Sequence, residues 1–211
     1  MIYSHVEAEA VAVFTRSTFC GAPVILGREL IQSGKAQAFF ITSGISNVAT
    51  GNEGLQNARQ EMKVMGQELG IKPELVLPNA TGVIGVQLPM EKILKAIPGC
   101  KSELGTDNWE ASAEAIMTTD TKIKLARKQV GNSVLIGMAK GAGMMEPNMA
   151  TMLSFWVTDA VISNAELQPM LKRVVDRSFN QLSIDTDLSL IHISEPTRRT
   201  PISYAVFCLK K

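Results

Sequence analysis

The sequence has few of the residues that most catalytic and structural sites use. It contains only two histidines among 211 residues, and its three cysteines, Cys20, Cys100 and Cys208, lie far apart without a C-x-x-C pair. This spacing indicates neither a zinc site nor a disulfide framework, so we interpret the cysteines as ordinary core residues. Because a Ser-His-Asp or Cys-His arrangement needs histidine, a nucleophile in this chain would need another base.

Long apolar runs and an excess of one charge are also missing. No apolar run reaches the roughly 20 residues of a membrane helix, and the first residues lack the pattern of a signal peptide. The formal net charge of +1 is spread along the chain without a basic stripe or an aromatic RNA-binding motif. Glycine motifs that bind phosphate are absent. We therefore expect a cytoplasmic protein that needs no metal or cofactor, acts on a small molecule and contacts neither nucleic acid nor membrane.

The chain does contain patterns of strands and helices, and its 45% hydrophobic content suits one globular domain. Strand patterns lie at residues 9–15, 36–42, 74–77, 133–139 and 151–157, and helix patterns at residues 22–33, 52–69, 89–96, 109–117 and around 171–179. In the second helix, apolar residues recur at spacings of three and four, which predicts that its methionines face the core, with Asn52 as the cap and Gly70 as the end. The predicted fold class is layered α/β.

The last two dozen residues differ in character from the rest. Residues 188–198 resemble the translation of a transposase sequencing adaptor, and residues 202–211 resemble the flow-cell adaptor that follows it. We interpret residues 188–211 as library read-through, the alternative being a true hydrophobic terminal strand. Without them the chain loses four basic residues and one acidic residue, so its formal charge changes from +1 to −2, and His5 is the only natural histidine.

The segment from Lys140 to Thr151 concentrates flexible and rigid residues between two apolar strands. Glycine permits backbone angles that other residues avoid, whereas Pro147 fixes its own, so the segment can hold strain, although such a composition is also typical of a simple turn. Residues 140–144 (KGAGM) and 147–153 (PNMATML) resemble the self-cleavage signature of the ornithine acetyltransferases, also called glutamate N-acetyltransferases. The resemblance spans roughly residues 2–187.

This resemblance implies that the bond between Ala150 and Thr151 is broken autocatalytically and that Thr151 becomes the nucleophile of a second chain. A threonine hydroxyl is a weak nucleophile, but a freed α-amine with a pKa of about 7.7–8.0 can act as its base. The implied reaction is ping-pong transfer of an acetyl group from N-acetylornithine to glutamate in arginine biosynthesis, through an acetyl-Thr151 intermediate. Acetyl-CoA is a further candidate donor, as in bifunctional family members.

Three other segments carry implied site residues. Residues 79–85 resemble the family's oxyanion-hole loop, in which Thr81 and Gly82 are the matching donors, although a Thr-Gly pair can also simply turn the chain. Residues 115–120 match the substrate-binding threonine segment, with Thr118 as the first choice. Lys140 matches the substrate-binding lysine, the alternative being a solvated lysine at a strand end.

The family likeness also implies an organisation of the chain. It predicts one α-β-β-α layered domain over residues 1–187, with residues 1–150 as the α chain and residues 151–187 as the start of the β chain. The complete enzyme would hold two α and two β chains. We expect the fold to be incomplete at the carboxyl end, the amino end to be clipped and this chain to be inactive alone. Residues 42–51 depart from the family's asparagine-rich pattern, which bears on substrate preference.

Two other functions remain as alternatives. A related self-processing amide hydrolase or aminopeptidase would pass the acyl group to water, and such relatives commonly carry serine at the nucleophile position. A non-catalytic amino-acid-binding fragment would show no chain break after residue 150. A denaturing gel separates the cleaving from the non-cleaving alternatives.

The interpretation of the tail predicts that the natural gene does not encode residues 188–211. We expect an uninterrupted genomic read to continue after Asp187 with a different sequence that supplies more of the second chain. A read that encodes Leu188 to Lys211 in frame would show instead that the tail is a natural strand.

Overall fold

A computed structural model describes residues 1–15, 17, 19–141 and 152–182 of the chain, and the backbone of residues 205–210. The strands are β1 (Ile2–Phe14), β2 (Lys35–Ile45), β3 (Val76–Val83), β4 (Lys124–Val130), β5 (Ser133–Lys140), β6 (Leu153–Thr158) and β7 (Ala205–Lys210). The helices are α1 (Ala22–Leu30), α2 (Gly51–Leu69), α3 (Met90–Ala96), α4 (Trp109–Ala115) and α5 (Asn164–Arg177). Short 3-10 turns cover Ile31–Ser33, Pro73–Leu75 and Phe179–Gln181.

The strands form one seven-stranded sheet in the order β3-β2-β1-β7-β6-β5-β4. The β2–β3 and β6–β7 pairs are parallel, and the other neighbours are antiparallel. The long first strand belongs to both halves of the sheet. Its residues Ile2, Tyr3, Ala8 and Glu9 pair with β2, whereas residues 10–14 pair with β7.

The sheet folds over so that its two halves face each other. Phe39 on β2 and Phe155 on β6 have ring centroids 5.3 Å apart. Strands three positions apart in a flat sheet would be separated by about 14 Å, so the contact requires the halves to stack. Both rings are buried in one cluster with Leu77 of β3 and Met138 of β5. This cluster is the inner layer of the domain.

Side-chain alternation along the strands directs the other residues to two outer helix layers. Ala38, next to Phe39, packs in a second cluster with α1 and α2, while Val11 of β1 packs against Leu167 of α5. The layers therefore run α1 and α2, first half-sheet, second half-sheet, α5. This arrangement agrees with the predicted α-β-β-α layering.

Helix α2 follows its sequence pattern closely. Ala58, Met62, Met65 and Leu69 are all buried, which confirms that the methionines belong to the core. Gly70 ends the helix in the left-handed conformation at φ 74°, as its position predicts. The predicted cap is wrong, however, because the N-cap is Thr50 and Asn52 lies within the first turn.

Several other boundaries differ from the sequence prediction. The strand expected at residues 74–77 begins with the 3-10 turn Pro73–Leu75 and continues as β3 to Val83, so most of the predicted 79–85 loop is strand. Strand β4 was not predicted, because six of its seven residues are exposed and only Leu125 is partly buried. Helix α5 accommodates Pro169 near its start, after a Ser163–Glu166 capping box.

Strand β7 lies in the tail whose origin is in question. Its backbone pairs with β1 on one side and with β6 on the other, so a strand at this position connects the two half-sheets. Both pairings are contacts between backbone groups, so they do not tell whether the side chains of this strand belong to the natural protein. The interpretation of residues 188–211 as read-through therefore stays a prediction.

One buried charge lies in the helix layer. Glu61 of α2 is 2% exposed, and its Oε1 has no hydrogen-bond partner among the described residues. Burial raises the pKa of this carboxyl to about 8. Because the folded state holds the proton more tightly than the unfolded chain, folding stability is highest below the unfolded pKa and falls as the pH rises towards 8.

We expect Glu61→Gln to reduce this pH dependence, because glutamine keeps the shape and cannot ionise. The gain in the free energy of unfolding of Glu61→Gln over the parent should approach about 5 kcal/mol at most above pH 8 and vanish near pH 4. The largest gain corresponds to several degrees in melting temperature. Thermal melts of the complete protein between pH 5 and pH 9 measure it, with the exposed Glu53→Gln on the same helix as control. Parallel melting curves for parent and Glu61→Gln would contradict this assignment.

Candidate active site

Three residues from distant parts of the chain meet at one buried amine. The Lys140 Nζ donates hydrogen bonds to Thr81 Oγ1 at 2.9 Å and to Thr118 Oγ1 at 2.7 Å. Lys140 is the last residue of β5 and is 5% exposed, so the alternative of a solvated lysine is wrong. All three residues were predicted as site residues from separate segments, and the fold brings them together.

The fold explains how these segments converge. Thr81 lies near the carboxyl end of β3, in the first half-sheet, and Lys140 lies at the carboxyl end of β5, in the second. Stacking of the half-sheets brings the two strand ends together. Thr118 follows α4, whose Ala113 packs in the cluster between the half-sheets, and the Ser43 hydroxyl donates to the Met117 carbonyl oxygen at 3.2 Å. These contacts fix the turn that presents Thr118.

The hydrogen bonds from Lys140, when its amine is protonated, determine which groups the two threonines can offer a ligand. An ammonium group donates only, so both hydroxyl oxygens must accept from Lys140, and their own hydrogens are free to point elsewhere. Thr118 is exposed, so its hydroxyl can reach a bound molecule. Thr81 and Thr118 are therefore set as hydrogen-bond donors, which suits a carboxylate or a developing oxyanion.

Gly82 occupies a position that only glycine fits. It has φ +129°, and an added Cβ would lie 2.2 Å from the carbonyl carbon of Gly44, its partner on β2. The two glycines let β2 and β3 approach at an irregularity in their register. Gly82 thus has a structural reason to be glycine, separate from the predicted use of its N–H group.

Asp120 lies next to the cluster of site residues and contacts the backbone at Thr118 and Gly141. Its side chain is fully buried, and its Oδ1 accepts hydrogen bonds from Lys124 Nζ at 2.5 Å and from the Gly141 N–H at 2.7 Å. Its Oδ2 lies 3.4 Å from the Thr118 backbone nitrogen. From the sequence, this residue is only the last position of the 115–120 segment and has no assigned role. Its spacing of four from Lys124 is the one sequence signal that could have identified the ion pair.

The electrostatics of the cluster follow from burial and two neighbouring charges. Burial lowers the pKa of Lys140, an effect that Asp120 opposes and Lys124 reinforces. Burial alone would raise the pKa of Asp120, but hydrogen bonds from Lys124, Gly141 and Thr118 outweigh it and hold that pKa below its ordinary value. Asp120 therefore stays ionised and provides the negative charge nearest to two amines.

The predicted nucleophile lies outside the described residues, as does Ala150 on the other side of the predicted cleavage bond. The structure describes the chain again from Met152, the covalent neighbour of Thr151, and Leu153 pairs with Lys140 across β5 and β6. A cleft lined by Asn79, Ala80, Leu153 and residues of the α1 region opens beside the cluster. Nothing among the described residues forms a group of His, Cys, Asp or Glu that could hold a metal ion.

Part of the divergent 42–51 segment has a structural role. Asn47 is fully buried, donates from Nδ2 to the Gly54 carbonyl oxygen at 2.9 Å, and accepts from Thr50 Oγ1 at 2.7 Å. These bonds hold the loop that enters α2. Gly54 is required at this contact, because a Cβ there would lie 1.9 Å from Thr50 Oγ1.

Known proteins resemble this chain over most of its length. A model of the ArgJ family matches residues 1–191 of the chain. The chain belongs to the ArgJ family. It is 49% identical over 189 residues to the arginine biosynthesis bifunctional protein ArgJ 2 of Clostridium acetobutylicum, with 90% of this chain and 49% of that protein covered. It is also 44% identical over 189 residues to the glutamate N-acetyltransferase Oat2 of Streptomyces clavuligerus, covering 90% and 48%.

Two solved structures share the ArgJ fold. The ArgJ protein of Bacillus halodurans is 33% identical with a TM-score of 0.59, covering 70% of this chain and 80% of that one. The ornithine acetyltransferase of Mycobacterium tuberculosis, solved with ornithine, is 28% identical with a TM-score of 0.60, covering 71% and 79%. The predicted family and α/β fold class are thus confirmed.

The ArgJ chain described here spans about half the length of the curated relatives it matches. No helix among the described residues is long and apolar enough to cross a membrane. The activity, the substrates and the assembly of the complete protein therefore belong to the proposal below.

The Gly44–Gly82 contact generates a prediction in which one glycine is the control for the other. Both have positive φ, so alanine costs about 1–3 kcal/mol of strain at either position. Only at Gly82 does the new methyl collide with backbone, since the space around Gly44 is open for 4 Å. Melts of the complete protein should show that Gly82→Ala lowers stability by a further 1–3 kcal/mol or so. Equal losses for the two variants would disprove the close contact.

Proposed function

We propose that this chain, within the complete protein, supplies the nucleophile and the oxyanion donors of an acetyltransferase of arginine biosynthesis. The donor is N-acetylornithine and the acceptor is glutamate. A relative with 44% identity is named a glutamate N-acetyltransferase, and a structural neighbour was solved with ornithine. The observation that carries the proposal is the contact of Lys140 with both Thr81 and Thr118.

The first reaction is cleavage of the chain itself. The Thr151 hydroxyl attacks the carbonyl carbon of Ala150, and the peptide C–N bond breaks as the ester C–O bond forms, with the proton passing to the freed amine. Water then hydrolyses the ester, which leaves a carboxylate on Ala150 and a free α-amine on Thr151. This amine serves as the base that the chain otherwise lacks.

The transfer reaction uses the same hydroxyl twice. Thr151 Oγ1 attacks the acetyl carbonyl of N-acetylornithine while its amine takes the hydroxyl proton. The tetrahedral intermediate collapses, ornithine leaves with that proton, and Thr151 carries the acetyl group as an ester. The amine of glutamate then attacks the ester, which gives N-acetylglutamate and restores Thr151. Each half-reaction passes through an oxyanion.

The described residues supply what that oxyanion needs. The Thr81 hydroxyl is set as a donor by Lys140, and the Gly82 N–H is the second donor of the pair. One such donor contributes about 10²–10³ in rate, because it is preorganised where charge develops. Thr118 and Lys140 offer a donor and a positive charge for the α-carboxylate of either amino acid.

The proposal extends to the assembly and to a second donor. The complete protein would contain two α chains ending at Ala150 and two β chains starting at Thr151. Relatives are named bifunctional, which supports a second activity, and the proposal assigns acetyl-CoA as its acetyl donor. Acetyl-CoA would acylate the same Thr151 hydroxyl and release the free thiol.

Substitution of Thr151 tests the mechanism in the complete protein. Thr151→Ala removes the oxygen that both reactions need, so the precursor should stay intact and inactive. Thr151→Ser keeps the oxygen but loses the methyl group that restricts χ1, so slower or partial cleavage is expected. Intact mass spectrometry and an assay of N-acetylglutamate against free acetate measure both steps.

The exposed Thr106→Ala, in the turn before α4 and outside the proposed site, serves as the control and should cleave and transfer normally. An uncleaved parent with full activity, or a fully active Thr151→Ala, would refute the mechanism. Release of free acetate without N-acetylglutamate would favour the hydrolase instead.

A further inference from the structure

We infer that Asp120 is a positioning residue, whose buried carboxylate fixes Gly141, the point where the chain leaves β5, and thereby holds Lys140 in its contacts with Thr81 and Thr118. The part that concerns transfer kinetics rests on the proposed function. Asp120 is not one of the residues predicted to touch substrate. Its effect would pass through Lys140, Thr118 and Gly141.

The strand ladder between β5 and β6 ends beside Asp120. Lys140 pairs with Leu153, and this is the last pair between β5 and β6. The next residue, Gly141, is buried and has φ +150°, and its N–H donates to Asp120 Oδ1 at 2.7 Å. The carboxylate thus receives the first N–H group beyond the ladder and fixes the backbone at Gly141.

Asp120 also contacts the backbone of Thr118. The Thr118 backbone N–H points to Asp120 Oδ2 at 3.4 Å, a long contact, while the Thr118 hydroxyl accepts from Lys140 at 2.7 Å. Asp120, Gly141, Lys140 and Thr118 therefore form a closed loop of contacts and peptide bonds. Moving the carboxylate would shift the backbone on both sides of the Lys140–Thr118 contact.

Asp120 is also the negative charge beside two amines. Two amines lie near this carboxylate: Lys124 Nζ contacts it at 2.5 Å, and Lys140 is close enough to interact with it electrostatically. A neutral side chain at position 120 would leave the buried Lys140 beside Lys124 without the anion that opposes their repulsion. Lys124 itself is 43% exposed, so water can replace its partner. The contacts of Asp120 that water cannot replace are therefore those with Gly141 and Lys140.

Lys124→Met separates positioning from simple ion pairing. It removes the salt bridge but leaves the bonds of Asp120 to Gly141 and Thr118 in place. Asp120→Asn keeps the volume and an acceptor oxygen but removes the charge. We expect Asp120→Asn to slow cleavage at Ala150–Thr151 and to lower kcat by roughly tenfold or more, because Thr81 shifts with Lys140. The KM for N-acetylornithine should rise as well, because Lys140 and Thr118 are the proposed partners of its carboxylate. Lys124→Met should cleave and transfer within about threefold of the parent.

The experiment uses the complete protein, with cleavage followed by intact mass, transfer by kcat and KM, and folding by thermal melt. Parental cleavage and kcat in Asp120→Asn would overturn the inference. So would equal losses in Asp120→Asn and Lys124→Met, since these would assign the effect to the ion pair. If Asp120→Asn does not fold, Asp120→Glu decides, because its displaced carboxylate should slow cleavage, and parental cleavage by this variant overturns the inference.

A parent that neither cleaves nor makes N-acetylglutamate refutes the proposed function itself. That result is distinct from a failure of the Asp120 inference, because in the latter case the parent is active and only the variant departs from expectation.

Discussion

The burial of one amine is the constraint on which the described site depends. Removing the Lys140 ammonium group from water is unfavourable unless hydrogen bonds and a counter-charge replace the lost hydration. The fold supplies two hydroxyl acceptors and one carboxylate, which come from β3 and from the turn that contains both Thr118 and Asp120. The hydrogen bonds and the counter-charge that Lys140 needs therefore hold the site together. Because both threonine oxygens accept from Lys140, their own hydrogens are left to donate.

The folded-over sheet makes this convergence possible. Because β1 contributes its first part to one half-sheet and its second part to the other, the halves stack with Phe39 against Phe155, and the ends of β3 and β5 meet above that contact. Core packing and site geometry are thus connected. A change in the spacing of the half-sheets would alter the distance between Thr81 and Lys140.

The candidate site residues could be predicted from the sequence, whereas their burial and their contacts across the fold could not. Thr81, Thr118 and Lys140 were predicted from local segments, and the periodicity of α2 placed Met62 and Met65 correctly in the core. The burial of Lys140 and the role of Asp120 were missed, because both depend on contacts across the fold. An exposed edge strand such as β4 was equally hidden, since its side chains carry no alternation for a pattern to detect.

The contact between Gly44 and Gly82 also limits how this site can change during evolution. The added Cβ at position 82 would overlap backbone atoms, which no rotamer change can move aside, whereas most crowded side chains can adjust. Single replacements that adjust the proposed oxyanion region are therefore confined to positions around the glycine pair. A lineage that altered substrate preference would have to do so through the flanking side chains and leave this backbone junction as it is.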